Sequence, residues 1–140
     1  MVRFKNRYLV LDLQYEDKQI DLSVSSRDIL SNLRDAVYSL HGDFGLACVM
    51  RSLAVKYWNV QTGIVVVKCS RSYYRLLWSS LTFLRSLKQQ SCAFRTLKVS
   101  GTIRNCQKFL IEHNKEVLRV TLRQCKRPGI VFDSGQWCLL

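Results

Sequence analysis

The chain has 140 residues, of which 48 % are hydrophobic and 23 % charged. That composition suits one globular domain of ordinary size and excludes a disordered tail protein. Lys and Arg number 22 against 10 Asp and Glu, a net charge of +12, and a fold this basic calls for a polyanionic partner.

The charge is unevenly placed. Residues 1–70 carry 9 basic and 7 acidic side chains, whereas residues 71–140 carry 13 and 3. No apolar run approaches the ~20 residues that span a bilayer. The run from Tyr8 to Leu11 is broken by Asp12, too short for a signal peptide. An intracellular protein with no membrane partner is expected. The six cysteines, Cys48, Cys69, Cys92, Cys106, Cys125 and Cys138, form no CxxC pair, so zinc spacing is absent. Reduced, mostly buried thiols are expected rather than three disulfides.

In chain order, residues 3–15 read as a strand, with Leu9, Leu11 and Leu13 on one face and Arg3, Lys5 and Arg7 continuing that face backwards. Residues 26–41 read as a helix with Ile29, Leu30, Leu33, Ala36, Val37 and Leu40 on one side. Ser25-x-x-Asp28 supplies a capping box and Gly42 a stop. Residues 48–58 and 63–69 read as a hairpin, because Val49, Leu53, Val55 and Tyr57 alternate and Gly63 to Val67 is wholly apolar after its Gly.

Residues 71–88 read as a second helix with the stripe Tyr74, Leu77, Trp78, Leu81 and Leu84. Leu76, Phe83 and Leu87 fall about 120° or more round the wheel. This second apolar face awaits either the C-terminal helix or a protein partner. Residues 92–99 read as a fourth strand. Residues 103–122 read as a third helix with Cys106, Phe109, Leu110, Val117 and Val120 on its core stripe. Pro128, inside Lys126-Arg127-Pro128-Gly129, marks a tail. The expectation is an α+β fold: a ferredoxin-like, RRM-like split βαβ sandwich, βαββαβ, with an extra C-terminal helix. Residues 1–123 would form one domain and 124–140 an irregular tail.

Few residues suit protein-based catalysis. His41 ends the first helix and His113 lies on a core stripe, so neither heads a nucleophile arrangement. Seven acids fall in the first 43 residues but do not converge on facing strands, as metal-dependent nucleases require. No bound cofactor and no metal site are expected. Gly42-Asp43-Phe44-Gly45 lacks the Lys-Ser/Thr of a phosphate loop.

The basic residues are more informative. Arg104, Lys108, Lys115 and Arg119 are spaced 4, 7 and 4, which places them on one helical face with Glu112 as the nearby acid. Such a stripe suits phosphate contacts along a nucleic-acid backbone. Arg71 and Arg75 open the second helix one turn apart. Arg3, Lys5 and Arg7 form a basic arm interleaved with Phe4 and Tyr8, rings able to stack on bases. The third strand, Thr62 to Cys69, has no aromatic. It therefore lacks the base-stacking face of an RNA-recognition motif, and its aliphatic surface suits packing against protein.

Four stretches carry a family resemblance: Met-Val-Arg-Phe-Lys-Asn-Arg-Tyr over 1–8, His-Gly-Asp-Phe-Gly over 41–45, Ala-Val-Lys-Tyr over 54–57 followed by Thr-Gly-Ile-Val over 62–65, and Ser-Gly-Thr-Ile-Arg-Asn-Cys-Gln-Lys-Phe-Leu-Ile over 100–111. In order and spacing the chain resembles the small Pop-type subunits (processing of precursors, number five) of ribonuclease P and ribonuclease MRP, from residue 1 to about 122. The tail from Gln124 to Leu140 departs from the family, whose members often end in an acidic stretch.

The resemblance implies a non-catalytic subunit of particles that cleave precursor tRNA, removing its 5′ leader, and process ribosomal RNA precursor. Cleavage there belongs to an RNA active site with divalent ions on the RNA. It implies as partners the ribonuclease P RNA, the MRP RNA, precursor tRNA in the holoenzyme and a TIM-barrel-like protein subunit, and it implies a nuclear and nucleolar location. The RNA-facing residues carried over by position are Arg3, Lys5, Arg7, Tyr8, Lys56, Tyr57, Gly63, Gly101, Thr102, Arg104 and Lys108, beside the charge-based candidates Arg71, Arg75, Lys115 and Arg119. Gly101-Thr102 before the third helix offers backbone N–H groups to a phosphate, or simply a turn and cap. Two rivals stand beside this reading: a protein endonuclease acting alone, and a ferredoxin-like RNA-binding or protein-interaction module outside these particles.

Overall fold

The alternation of Leu9, Leu11 and Leu13 builds the central strand. The computed structural model describes residues 3–17 and 19–125, and in it β1 (Asn6–Tyr15) pairs antiparallel on both sides. Its three leucines are buried against the helices, each worth about 1.5–3 kcal/mol. β3 (Ile64–Ser70) lies on one flank with Leu9 opposite Val67 and Leu11 opposite Val65, and β5 (Gln90–Ser100) lies on the other. β2 (Ala54–Asn59) pairs with β3, and a two-residue β4 (Ser86–Leu87) pairs with β5. The sheet order β2-β3-β1-β5-β4 is the expected ferredoxin-like order with one short strand added at an edge.

Two helices cover the leucine face. α1 (Ser26–Met50) starts at the expected box: Ser25 N–H donates to Asp28 Oδ2 at 2.8 Å and Asp28 N–H returns to Ser25 Oγ at 3.4 Å. Trp58 Nε1 donates to Val24 O at 3.0 Å and fixes the chain entering that helix.

α1 does not stop at Gly42. Gly42 bends it, with φ 72° and ψ −163°, a conformation cheap only without a Cβ, and helix resumes to Met50. Val49, whose spacing suggested a strand, is therefore on the buried helical face four residues after Gly45. Gly63 closes the β2–β3 turn at φ +71°, where a Cβ would meet Leu13 O at 2.7 Å.

α2 (Tyr74–Phe83) ends five residues earlier than its apolar pattern suggests. Leu84 is extended, and the chain turns back through Lys88 and Gln89, with φ 46° and 67°. Left-handed backbone at non-Gly residues costs ~1–2 kcal/mol each. Here Lys88 is anchored across the turn, its Nζ 2.9 Å from Asp28 Oδ2 and 3.2 Å from Ser23 O.

α3 (Ile103–Cys125) begins with Cys106 buried, its Sγ 4.0 Å from Tyr8 O. The described residues form two compact units, one ending at Cys106 and one starting at Gln107. In the second, the Phe109 and His113 rings stack at 5.8 Å, and Val117 and Val120 are exposed rather than in a core. The expected tail lies outside the described residues except for Gln124 and Cys125, which end α3. The five described cysteines are free thiols, and burial pushes Cys92 up to about 11.

The Lys88 ammonium, followed by the Ser25 N–H and hydroxyl, holds the Asp28 carboxyl down to about 2. An unfolded Asp titrates near ~3.9. The carboxylate's contribution is therefore complete above about pH 4 and is lost as pH falls towards 2. Denaturant melts of the parent and Asp28→Asn should show a stability gap that closes over that window; a gap constant from pH 6 to pH 2 would contradict the assignment.

Candidate nucleic-acid interface

The strand register sorts charge along the sheet. At the entry end of β1, Asn6 faces Ser70, Arg7 faces Cys69, and Tyr8 lies between Lys68 and Ser100. Arg71 N–H donates to Lys5 O at 2.9 Å, which fastens the basic arm to the start of α2. Gly101 follows Ser100. A Cβ there would lie 3.0 Å from Arg7 Nη1, so the bare backbone leaves room for the guanidinium. The same end of the sheet thus gathers Lys5, Arg7, Lys68, Arg71 and, in the first turn of α3, Arg104. The run of α1 to Met50 delivers Arg51 there as well.

Among the described residues, none of these cations has an acidic partner within ion-pair distance. Among the described residues, the ion pairs are Lys88–Asp28, Arg95–Asp12 and Arg119–Glu116. None involves Lys5, Arg7, Arg51, Lys68, Arg71, Arg75 or Arg104. Three acids of the first unit are engaged elsewhere. Asp12 accepts from Arg95 at 3.0 Å and from Gln14 at 3.1 Å, Asp21 accepts from Ser23 N–H at 2.9 Å, and Asp28 caps α1. The Ser23 hydroxyl, with the Ser23 N–H, keeps the Asp21 carboxyl below its usual range. Among the described residues no group of three His, Cys, Asp or Glu is placed to hold a metal ion.

Two helix N-termini reinforce the positive field. α2 opens without a side-chain cap and without an acid in its first turn, which carries Arg75 instead. α3 likewise has no acid in its first turn, which carries Arg104. A cation at a helix N-terminus costs about 0.3–1 kcal/mol, and an anion there reverses the sign. Thr102 is a cap: its hydroxyl accepts from Asn105 N–H at 3.3 Å, and its own N–H donates to Ser100 Oγ at 3.4 Å. The exposed Arg104 guanidinium, rather than the Thr102 amide, is the group left to meet a phosphate.

A cleft of about 510 Å³ opens at this end, lined among others by Phe4, Arg51, Lys68, Ser70 and Tyr73. Of the residues expected to face RNA, Arg3, Lys5, Arg71, Arg75 and Arg104 are exposed, and Arg7 and Tyr8 are half-buried beside Gly101 and Lys68. Lys56 and Tyr57 are exposed on the edge strand β2, away from the cleft lining. Gly63 does not join them: it is buried in the turn at the opposite end, where the backbone geometry requires it. Lys108, Lys115 and Arg119 are exposed in the second unit. Arg119 lies 3.4 Å from Glu116, an acid that the helical spacing had not placed there.

The expected second apolar face divides. Phe83 is 65 % exposed and lines a cleft of about 310 Å³ with Leu40. Leu76 is half-buried against the core, and its carbonyl accepts the Ser80 hydroxyl at 2.8 Å. Leu87 is buried in the core, because it belongs to β4 and not to a helix. The residues missed in the sequence are Arg51 and Lys68, with Tyr73. No motif marks them, and each becomes visible only once α1 extends to Met50 and the β1–β3 register is known.

Comparison with known proteins adds a direct observation. The family model of the Rpp14/Pop5 family matches residues 7–111. The ribonuclease P/MRP protein subunit POP5 of Homo sapiens is 43 % identical over a 148-residue alignment covering 100 % of this chain and 91 % of the human protein. The protein of the same name in Mus musculus is 42 % identical, covering 100 % of this chain and 88 % of its own length. A chain in the cryo-EM structure of yeast ribonuclease MRP shares the fold, with a TM-score of 0.61 at 13 % identity over 86 % of this chain and 98 % of that one. By sequence along its whole length and by fold, this chain belongs to the Rpp14/Pop5 family.

Proposed function

We propose that this chain is a non-catalytic, RNA-binding protein subunit of ribonuclease P and of ribonuclease MRP, serving tRNA and rRNA processing. The observation that carries this reading is the gathering, at one end of the sheet, of cations that form no ion pair among the described residues, in a chain whose curated relatives bear the name of those particles' subunits. Phosphate repulsion opposes the compaction of a large RNA, and fixed cations on a rigid sheet end offset it. Cleavage is left to the particle's RNA; of the chain's own acids, Asp28 serves as a helix cap and Asp12 as the partner of Arg95.

The same reading assigns a TIM-barrel-like protein subunit to the helical face. Leu40 and Phe83 are exposed at a cleft of mixed lining, and Tyr38 and Phe44 are exposed on α1. Exposed large apolar side chains gain from burial against protein.

Arg104→Ala with Lys108→Ala should weaken association with the particle RNA and lower the slope of log K against log salt by about one per cation removed. An unchanged slope would take that helix out of the RNA interface. Phe83→Ser, a change at an exposed position, should lower co-purification of the TIM-barrel-like subunit while leaving the thermal midpoint within a few degrees of the parent. Undiminished co-purification would move the partner to another face.

A further inference from the structure

The cleft at the basic end has a chemistry that phosphate neutralisation alone does not require. The β1–β3 register sets Asn6 opposite Ser70 and Tyr8 opposite Lys68, and Asn6, Lys68 and Ser70 line the cleft together with Phe4 from the arm that precedes β1. Arg51 from the end of α1 and Tyr73 from the start of α2 complete the surround. Among the described residues the lining holds two cations, two aromatic rings and no acid. Phe4 is 89 % exposed and Tyr73 38 %. Its volume, about 510 Å³, lies in the range of ~300–1,000 Å³ that small ligands fill.

A flat basic surface suffices to follow the backbone of a duplex. Exposed rings beside a pair of cations suit a base that has left its stack, because every base offers a π-face while its phosphate needs a counter-charge. We propose that this cleft takes one unstacked nucleotide of a single-stranded RNA segment, its base against the Phe4 and Tyr73 rings and its phosphate at Arg51 and Lys68. This inference rests on the RNA-facing reading of the basic end. It also differs from base reading on a sheet face, since β3 offers no aromatic: the rings stand at the sheet's end instead.

The test uses the purified full chain and a ten-nucleotide RNA containing 2-aminopurine, as a single strand and annealed to its complement. The parent should bind the single strand more tightly than the duplex and quench its fluorescence. Phe4→Ala with Tyr73→Leu should weaken single-strand binding roughly tenfold and abolish the quench while leaving the salt slope unchanged. Arg51→Gln with Lys68→Gln, two polar replacements that keep the test informative if the ring variant misfolds, should lower the slope by about 0.7 per cation. Parent-like affinity and quench in the ring variant would overturn the nucleotide site. So would a duplex bound as tightly as the strand. If Arg104→Ala with Lys108→Ala still flattened the slope, the RNA-binding reading would stand without the cleft. A parent chain that bound neither strand nor duplex would overturn both.

Discussion

Everything distinctive about this chain depends on charge being sorted along one strand. β1 enters the sheet with Arg7 and leaves it past Asp12. Antiparallel partners extend both poles sideways: Lys68 and Ser100 flank Tyr8, while Arg95 closes on Asp12 at 3.0 Å. The core residues between the poles, Leu9 and Leu11 with Val65 and Val67, hold the two ends apart. Self-repulsion among unpaired cations disfavours the folded state. Three of the acids, Asp28, Asp21 and Asp12, are held at the far end in a capping box, an Asx-type turn and an ion pair.

Helix direction follows the same polarity. α1 starts at the acidic end, where Asp28 meets its N-terminal dipole, and finishes near Arg51, a cation at the negative end of a helix. α2 and α3 start at the basic end with Arg75 and Arg104 in their first turns. That second arrangement is unfavourable in the free protein and becomes favourable with a polyanion in place. The free chain thus gives up stability at the one surface where a phosphate backbone would restore it. Apolar exposure from Leu40 and Phe83 lies on the helical layer.

Much of this architecture was legible from residue order. The leucine alternation of β1, the Ser25-x-x-Asp28 box and the apolar run of β3 each made an unambiguous local statement, and together they imply the strand order observed. Two boundaries were not legible. Gly42 carries the signature of a helix stop but acts as a bend, because the residues on both sides remain helical. The β4–β5 turn is built from Lys88 and Gln89 at positive φ, without Gly or Asn, so nothing in its composition announces it. Its stability comes from the long-range hold of Lys88 on Asp28 and Ser23, which only the fold reveals. The site was partly legible: the arm and the block around Arg104 stood out by charge. Lys68 and Arg51 are ordinary residues in sequence and acquire meaning from register and helix length alone.

On the proposed reading, this chain works inside a ribonucleoprotein whose RNA does the cutting. The most direct measurement is to tag the protein, isolate it from its own cells, sequence the RNA that accompanies it and assay precursor tRNA before and after micrococcal nuclease. One or two dominant structured RNAs, with 5′-leader cleavage that nuclease abolishes, are the predicted result. Cleavage that survives nuclease would make a protein the catalyst, and an eluate with neither RNA nor cleavage would place the chain outside such a particle; either would contradict the account.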